Sequence, residues 1–371
     1  VSYSNGNKKN AIINIFVDSS NHLWLANGDH VAKYQYDGNN LNKVASYPCF
    51  MPMDISQDAK GNIWVSTASV NIYCISAQSG EKTKKQLFPT TFCFIPSIML
   101  LQNGNMLISA FYKPILEMNG DNFDVQEFKV NPDDWKKCIK RSVYIPTKNY
   151  QDRKGNIWLG TVTNGLLKYD AKSHKLTTIA GISCSDISSI EEDRDGNIWV
   201  STLYGLNKIE VDRYNGQQVT NYTLYTEMPY SDASGRSIKL TKDAQHLIYA
   251  YDNKGKVYIY DKRKDTFVLK CNLQKILGGS IVLNELLVDE KGNFWLAMDR
   301  GIYCLSAATD GKEIVRETAK GRFVLKNTYI NHIQFIGQKL LIGTFKDVYC
   351  YSMSARKLEK KISGSSVVSS Y

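Results

Sequence analysis

Five of the six tryptophans in this chain recur inside one short phrase, and that phrase constrains the fold more than any other feature. The copies are DAKGNIWVST (Asp58–Thr67), DRKGNIWLGT (Asp152–Thr161), DRDGNIWVST (Asp193–Thr202), DEKGNFWLAM (Asp289–Met298) and the looser DSSNHLWLAN (Asp18–Asn27). Three degenerate copies, LQNGNMLISA, KDAQHLIYAY and IGQKLLIGTF, keep the pattern without Trp. Aligning the Trp position gives Trp24, Trp64, Leu107, Trp158, Trp199, Ile248, Trp295 and Leu341. Self-similarity at about 40 to 50 residues marks propeller blades or a solenoid.

Each repeat carries four apolar or alternating runs; in the fifth they are Ile187–Glu191, Ile198–Thr202, Leu206–Glu210 and Gln218–Thr223. Period-2 alternation, β-branched residues and intervening turn clusters predict strands. In D-x-x-G-N the Asp can bond the backbone ahead of it, and Gly accepts the left-handed conformation of a short hairpin. Asn21 stands in for that Gly in the first copy, as the next-best left-handed residue. The Trp then falls on the second strand, large enough to fill the wedge between blades. Helical periodicity is nowhere sustained. The expected fold is all-β, a β-propeller of four-stranded blades with eight repeats, seven blades being the alternative. The chain is expected to form a single domain over 1–371, with Val1–Ser4 or Val367–Tyr371 as a possible closing strand for an otherwise exposed edge. It begins at Val without a signal peptide, so it is read as an excised or mature fragment whose flanks hold targeting and output modules.

No run approaches the apolar length that spans a membrane. The net charge of +10 is spread along all repeats, its densest cluster being Lys136–Arg141; it comes with no nucleic-acid-binding signature, so no nucleic acid is expected. Cys74, Cys304 and Cys350 occupy the equivalent phrases IYCIS, IYCLS and VYCYS. They and Cys49, Cys93, Cys138, Cys184 and Cys271 show neither CxxC nor metal-finger spacing, and read as small buried hydrophobes. His22 and His246 sit at the turn position of Asn62 and read as structural. Asp193-Arg-Asp-Gly-Asn197 resembles half of a calcium loop but lacks the remaining acidic ligand. Phosphate-loop, nucleophile-elbow and HExxH signatures are absent, so no catalytic residue, metal or cofactor is expected.

In a propeller the loops between second and third strands share a face with the connections between blades, and ligands favour such long, variable loops. That reading nominates Asp29, His30, Tyr112, Lys113, Tyr204, Tyr251, Arg300 and Lys346 from the short loops. Trp135 and Arg141 come from the long connection Asp121–Tyr150, and Tyr230 and Arg236 from Tyr222–Arg236. Aromatic rings beside Arg, Lys and Asp suit stacking on sugars and pairing with hydroxyls or carboxylates.

The repeat D-x-x-G-N-I-W-[VL]-[GS]-T followed by G-L-x-K-[YI] (Gly165–Tyr169, Gly205–Ile209) resembles the two-component regulator propeller repeat. The resemblance implies a non-enzymatic periplasmic sensor region of a hybrid two-component, or related one-component, receptor that detects an oligosaccharide from a complex glycan. It implies as partners a second propeller, membrane and kinase modules and a homodimer. The motif is a scaffold motif and transfers no ligand residues. A protein-interaction scaffold is the alternative, and a propeller lyase acting on an acidic glycan is the enzymatic one, since streptogramin lyases also carry D-x-x-G-x-[IV]-W repeats.

Overall fold

The computed structural model describes residues 12–36, 41–89, 94–95, 97–110, 113, 115–127, 146–161, 164–170, 175–212, 216–224, 238–306, 313–315, 319–345 and 347–363. These form eight four-stranded antiparallel sheets, each built from four consecutive strands. The fold is an all-β, eight-bladed β-propeller. No described blade borrows a strand from elsewhere in the chain; the proposed closing segments Val1–Ser4 and Val367–Tyr371 lie outside the described residues. One helix of a single turn, Leu273–Leu277, follows the sixth blade and starts at Asn272, whose side chain accepts from the N–H groups of Gln274 and Lys275.

The chain divides into two compact units. Val1–Phe128 with Ile330–Tyr371 holds blades one (14–48), two (52–86), three (97–127) and eight (330–363). Lys129–Tyr329 holds blades four (146–178), five (187–222), six (238–272) and seven (283–326). Within each unit the first strands of neighbouring blades lie side by side, so they form its inner wall.

The repeated phrase works as a clasp. In Asp58, one carboxylate oxygen accepts the backbone N–H groups of Lys60 and Asn62, both at 2.9 Å. The other accepts the Asn62 amide at 2.9 Å and the Trp64 indole N–H at 2.8 Å. Asp152 and Asp193 repeat this set on Trp158 and Trp199, and Asp289 repeats it on Trp295. In these four copies each carboxylate oxygen is thus engaged twice by the protein itself. In blade one, His22 replaces the Asn and its Nδ1 lies 3.0 Å from Asp18. Burial pushes the Asp18 carboxyl up, but the bonds from Trp24 and His22 outweigh it and its pKa is lowered. The fragment around Asp193 is a turn, as its sequence predicts, with its oxygens turned inward.

Four of these indoles, pinned at the polar edge, are seen to send their bodies into the neighbouring blade. Trp24 packs with Ile55, Ile63 and Val65 of blade two, Trp64 with Ile98, Met106 and Ile108 of blade three. Trp158 packs with Ile187, Ile198 and Val200 of blade five, Trp199 with Leu240, Ile248 and Ala250 of blade six. Removing about 150–250 Å² of ring per Trp from water is worth about 4–6 kcal/mol per seam as an upper bound.

Two alignments from sequence need correction. In blade six the residue six positions after the turn Asp is Tyr249, not Ile248, and its hydroxyl donates to Asp243 at 3.1 Å. Tyr249 is therefore the Trp equivalent, and Ile248 lies one position away from it on the strand. By the same register His246 takes the Gly slot rather than that of Asn62. Its φ of 60° matches the 62° of Asn21 and the 84° of Gly61.

Across each hairpin the ring meets one of two partners on the third strand. Trp24, Trp158 and Trp199 pair with Lys33, Lys168 and Lys208, whose ammonium groups lie 5.3–5.9 Å from the ring centroids, within cation–π range. Trp64 and Trp295 pair with Cys74 and Cys304. The recurring IYC and VYC phrases are thus the Trp-facing position of the third strand. The six described cysteines are free thiols. Cys49, Cys74, Cys271 and Cys350 are buried, while Cys184 and Cys304 are half-buried; burial pushes the Cys49, Cys74 and Cys271 thiols up to about 12. Cys93 and Cys138 lie outside the described residues.

Candidate functional site

The end of the phrase builds the opposite face. Its terminal Thr turns its hydroxyl onto the loop that follows. Thr67 donates to the carbonyl of Asn71 at 2.6 Å, Thr161 to Gly165 at 2.8 Å, Thr202 to Gly205 at 3.1 Å and Thr344 to Asp347 at 2.9 Å. These hydroxyls fix short loops between the second and third strands, so side chains on them are held on an ordered frame.

Of the nominated residues, Tyr112, Trp135, Arg141, Tyr230, Arg236 and Lys346 lie outside the described residues. In the first unit, Asp29 and His30 form a pair with Oδ1 to Nδ1 at 2.7 Å, and both are partly accessible. Asn27 presets them, its side-chain oxygen accepting the N–H of His30 at 2.7 Å. Lys113 lies over the Phe88 ring at 5.8 Å. In the second unit, Tyr204 is exposed on its loop.

Tyr251 and Arg300 do not fit their expected roles. Tyr251 belongs to a second strand, Ile248–Asp252, and is 4% exposed within the core shared with Leu283 and Leu286. Arg300 donates to the carbonyls of Gly278, at 3.1 Å, and Ser280. It clamps the connection between blades six and seven, so its guanidinium is engaged with backbone.

Among the described residues, several exposed large hydrophobics sit on second-to-third-strand loops or blade connections. In the first unit these are Phe50 and Met51, between blades one and two, and Phe345, on the loop of blade eight. In the second unit they are Tyr204, on the loop of blade five, Val282, before blade seven, and Tyr329, after it.

Sequence reading missed the inner wall of the second unit, where first strands bring together residues far apart in the chain. At the loop-face end, the Lys239 ammonium donates to the Asn284 carbonyl at 2.9 Å, and the Tyr329 hydroxyl donates to the Asn284 side chain at 3.2 Å. Lys148 and Glu285 bear on the same ammonium: burial lowers the Lys239 pKa, Glu285 opposes that and Lys148 adds to it as a like charge. Lys239 and Lys148 nevertheless remain solvent-accessible, as expected in a concave wall. At the turn-face end, Lys242 bonds Glu191 at 3.0 Å and the Tyr150 hydroxyl at 3.2 Å, linking blades six, five and four. Burial raises the Glu191 pKa against the attraction of Lys242. Lys242 is pulled down by burial but held up by Glu191 and Tyr150, with a net upward shift.

Two accessible ammonium groups, a carboxylate, an amide and an exposed phenol ring make a surface that can pair with carboxylates and hydroxyls and stack on a flat apolar face. Among the described residues no group of three His, Cys, Asp or Glu is placed to hold a metal, and no helix is long and apolar enough to cross a membrane.

Comparison with known proteins supports the fold. The Dos1 propeller superposes with a TM-score of 0.64 at 12% identity, covering 94% of this chain and 93% of that one. An inactive variant of virginiamycin B lyase from Staphylococcus aureus, bound to quinupristin, gives 0.54 at 13% identity, covering 80% and 94%. The extracellular domain assigned to a one component system of B. thetaiotaomicron gives 0.39 at 15% identity, covering 97% of this chain; that superposition is too loose to bear on function. This chain spans 55% of that domain's length. No curated protein sequence matches it. Residues 181–204, from the connection before blade five through its second strand to Tyr204, match the family model described as two component regulator propeller. The fifth blade is thus built on a two component regulator propeller repeat.

Proposed function

We propose that this chain is a non-enzymatic, extracytoplasmic ligand-sensing propeller of a hybrid two-component or one-component receptor, and that its ligand is an oligosaccharide derived from a complex glycan. The observation that carries this is the constellation of Lys148, Lys239, Asn284, Glu285 and Tyr329 at the loop-face end of one inner wall. Its chemistry favours a sugar bearing carboxylates. The two component regulator propeller repeat at 181–204 supports the receptor context. In that context the compartment is the periplasm, and the partners are a second propeller, membrane and kinase modules and a second receptor copy. Signalling would draw on differential binding to two receptor arrangements, since a ligand shifts an equilibrium only by that difference.

The test is calorimetric titration of the chain with matched neutral and acidic oligosaccharides, with product analysis of every mixture. Binding without turnover, weakened by Lys239→Ala for acidic sugars and by Tyr329→Ala for both kinds, supports the reading. Cleavage products would move it to a propeller lyase, and the absence of binding across both sets would remove the oligosaccharide. A protein-binding scaffold is favoured by one separate observation, the exposed Phe50, Met51 and Phe345 of the first unit. It predicts a protein partner lost on Phe50→Asp with sugar binding unaffected.

A further inference from the structure

The eighth blade departs from the repeat at both members of the pair that fills a seam. Where other blades place Trp opposite Lys or Cys, it places Leu341 opposite Cys350. Blade three also lacks Trp but sets Leu107 opposite the longer Glu117, and blade six sets Tyr249 opposite Ile259. Only in blade eight are both residues small. Its turn is also shortened to Gly337–Gln338 between the paired Ile336 and Lys339, so it has no Asp to clasp a ring.

A cavity of about 490 Å³ opens between blades eight and one, within the first unit. Its apolar lining includes Leu23, Leu41, Leu341 and Cys350, and its polar lining includes His22 and Lys339. The first four belong to one buried cluster in which Leu341 meets blade one much as Trp24 meets blade two. The polar side is preset: Asp18 holds the Nδ1 edge of His22, while Lys339 is paired with Glu359 and lies 4.5 Å from the Tyr36 ring centroid. The volume falls in the range of small-molecule sites, about 300–1,000 Å³.

We propose that this seam is a binding site for a small planar aromatic molecule of about indole size carrying a hydrogen-bonding edge. The ligand plays the part that a tryptophan ring plays in the other seams, its flat body against Leu23, Leu41 and Leu341 and its polar edge toward His22 and Lys339. The site is independent of the oligosaccharide reading, because it uses no residue of the inner wall and lies in the other unit.

Indole itself is the probe. Titration of the full chain, followed by saturation-transfer NMR and calorimetry, should show saturable binding. Leu341→Trp, which supplies the ring covalently, should weaken that binding at least tenfold, while Leu341→Met leaves it within about threefold. Cys350→Met fills the same space from the opposite strand and should also weaken it, which protects the test if Leu341→Trp folds poorly. No saturable binding to the wild-type chain, or equal affinity for the wild-type chain and both filled variants, would overturn the proposal.

Discussion

The indole N–H of Trp199 donates to Asp193 at 2.8 Å, and the same carboxylate accepts the N–H groups of Asp195 and Asn197 and the Asn197 amide. Turn and wedge are one device: the residue that closes the hairpin also aims the ring that fills the next seam. Asp193→Ala strands four donors, among them the fully buried indole N–H. A buried donor left unpaired costs about 1–3 kcal/mol, so a loss of about 3 kcal/mol or more is expected in denaturant unfolding. Hydrogen exchange should rise first over residues 193–202; an unchanged midpoint would mean that the clasp adds nothing to packing.

Blade six tests the same device with a different ring. Tyr249→Phe keeps the packing against Phe294, whose centroid is 5.6 Å away, and removes only the bond to Asp243. A cost of about 1–2 kcal/mol is expected, because the carboxylate loses one charge-assisted partner. Ile248→Val, at the position first aligned with Trp, should cost about 0.5–1.5 kcal/mol as ordinary core trimming. Equal sensitivity to Asp243→Asn in the wild-type and Tyr249→Phe backgrounds would show that the hydroxyl does not engage the turn.

The fold was legible because D-x-x-G-N-I-W encodes clasp, left-handed turn residue and wedge within seven positions. Blade six was misaligned because its apolar Ile248 fits the hydrophobic pattern, whereas the clasp selects a ring with a donor at its edge. The inner-wall constellation was not legible. Lys148, Lys239, Asn284 and Tyr329 come from separate repeats, and first strands carry only a period-2 pattern that says which way a side chain points, not what stands beside it. Tyr251 shows a related effect: the second strand runs on through Asp252, so a tyrosine read as part of the loop lies in the core.

Two carboxylates should give opposite pH slopes. Asp18 has a native pKa below its ordinary 3.8; its contribution is present above that value and is lost as pH falls through the lower native pKa. Glu191 is raised above its ordinary 4.5 by burial; its contribution is present below that value and fades as pH rises through the higher native pKa. As pH rises from about 4 to 7 the wild type should therefore lose stability relative to Glu191→Gln. For Asp18→Asn the wild type's advantage should collapse only below about pH 4. A flat Glu191 profile in melting experiments would mean that Lys242 fully compensates its burial.

Gly160 shows how closely neighbouring blades approach. A Cβ built there would lie 2.6 Å from the Ile187 Cγ2 and 3.0 Å from its Cβ, on the first strand of the next blade. Both contacts are tighter than packed side chains adopt, and the Ile187 Cβ cannot swing away without its backbone. Gly160→Ala should therefore cost about 1–3 kcal/mol as overpacking, even though Ala in a strand restricts the unfolded chain more than Gly does. Ile187→Ala alone should cost about 2–5 kcal/mol by leaving a cavity. Combined with Gly160→Ala, it should give a double variant more stable than the two costs predict by addition, because the new methyl occupies part of the vacated space. Such coupling between contacting residues reaches about 0.5–3 kcal/mol. Strict additivity in a double-mutant cycle would place Ile187 away from Gly160 in solution and would loosen the seam between blades four and five.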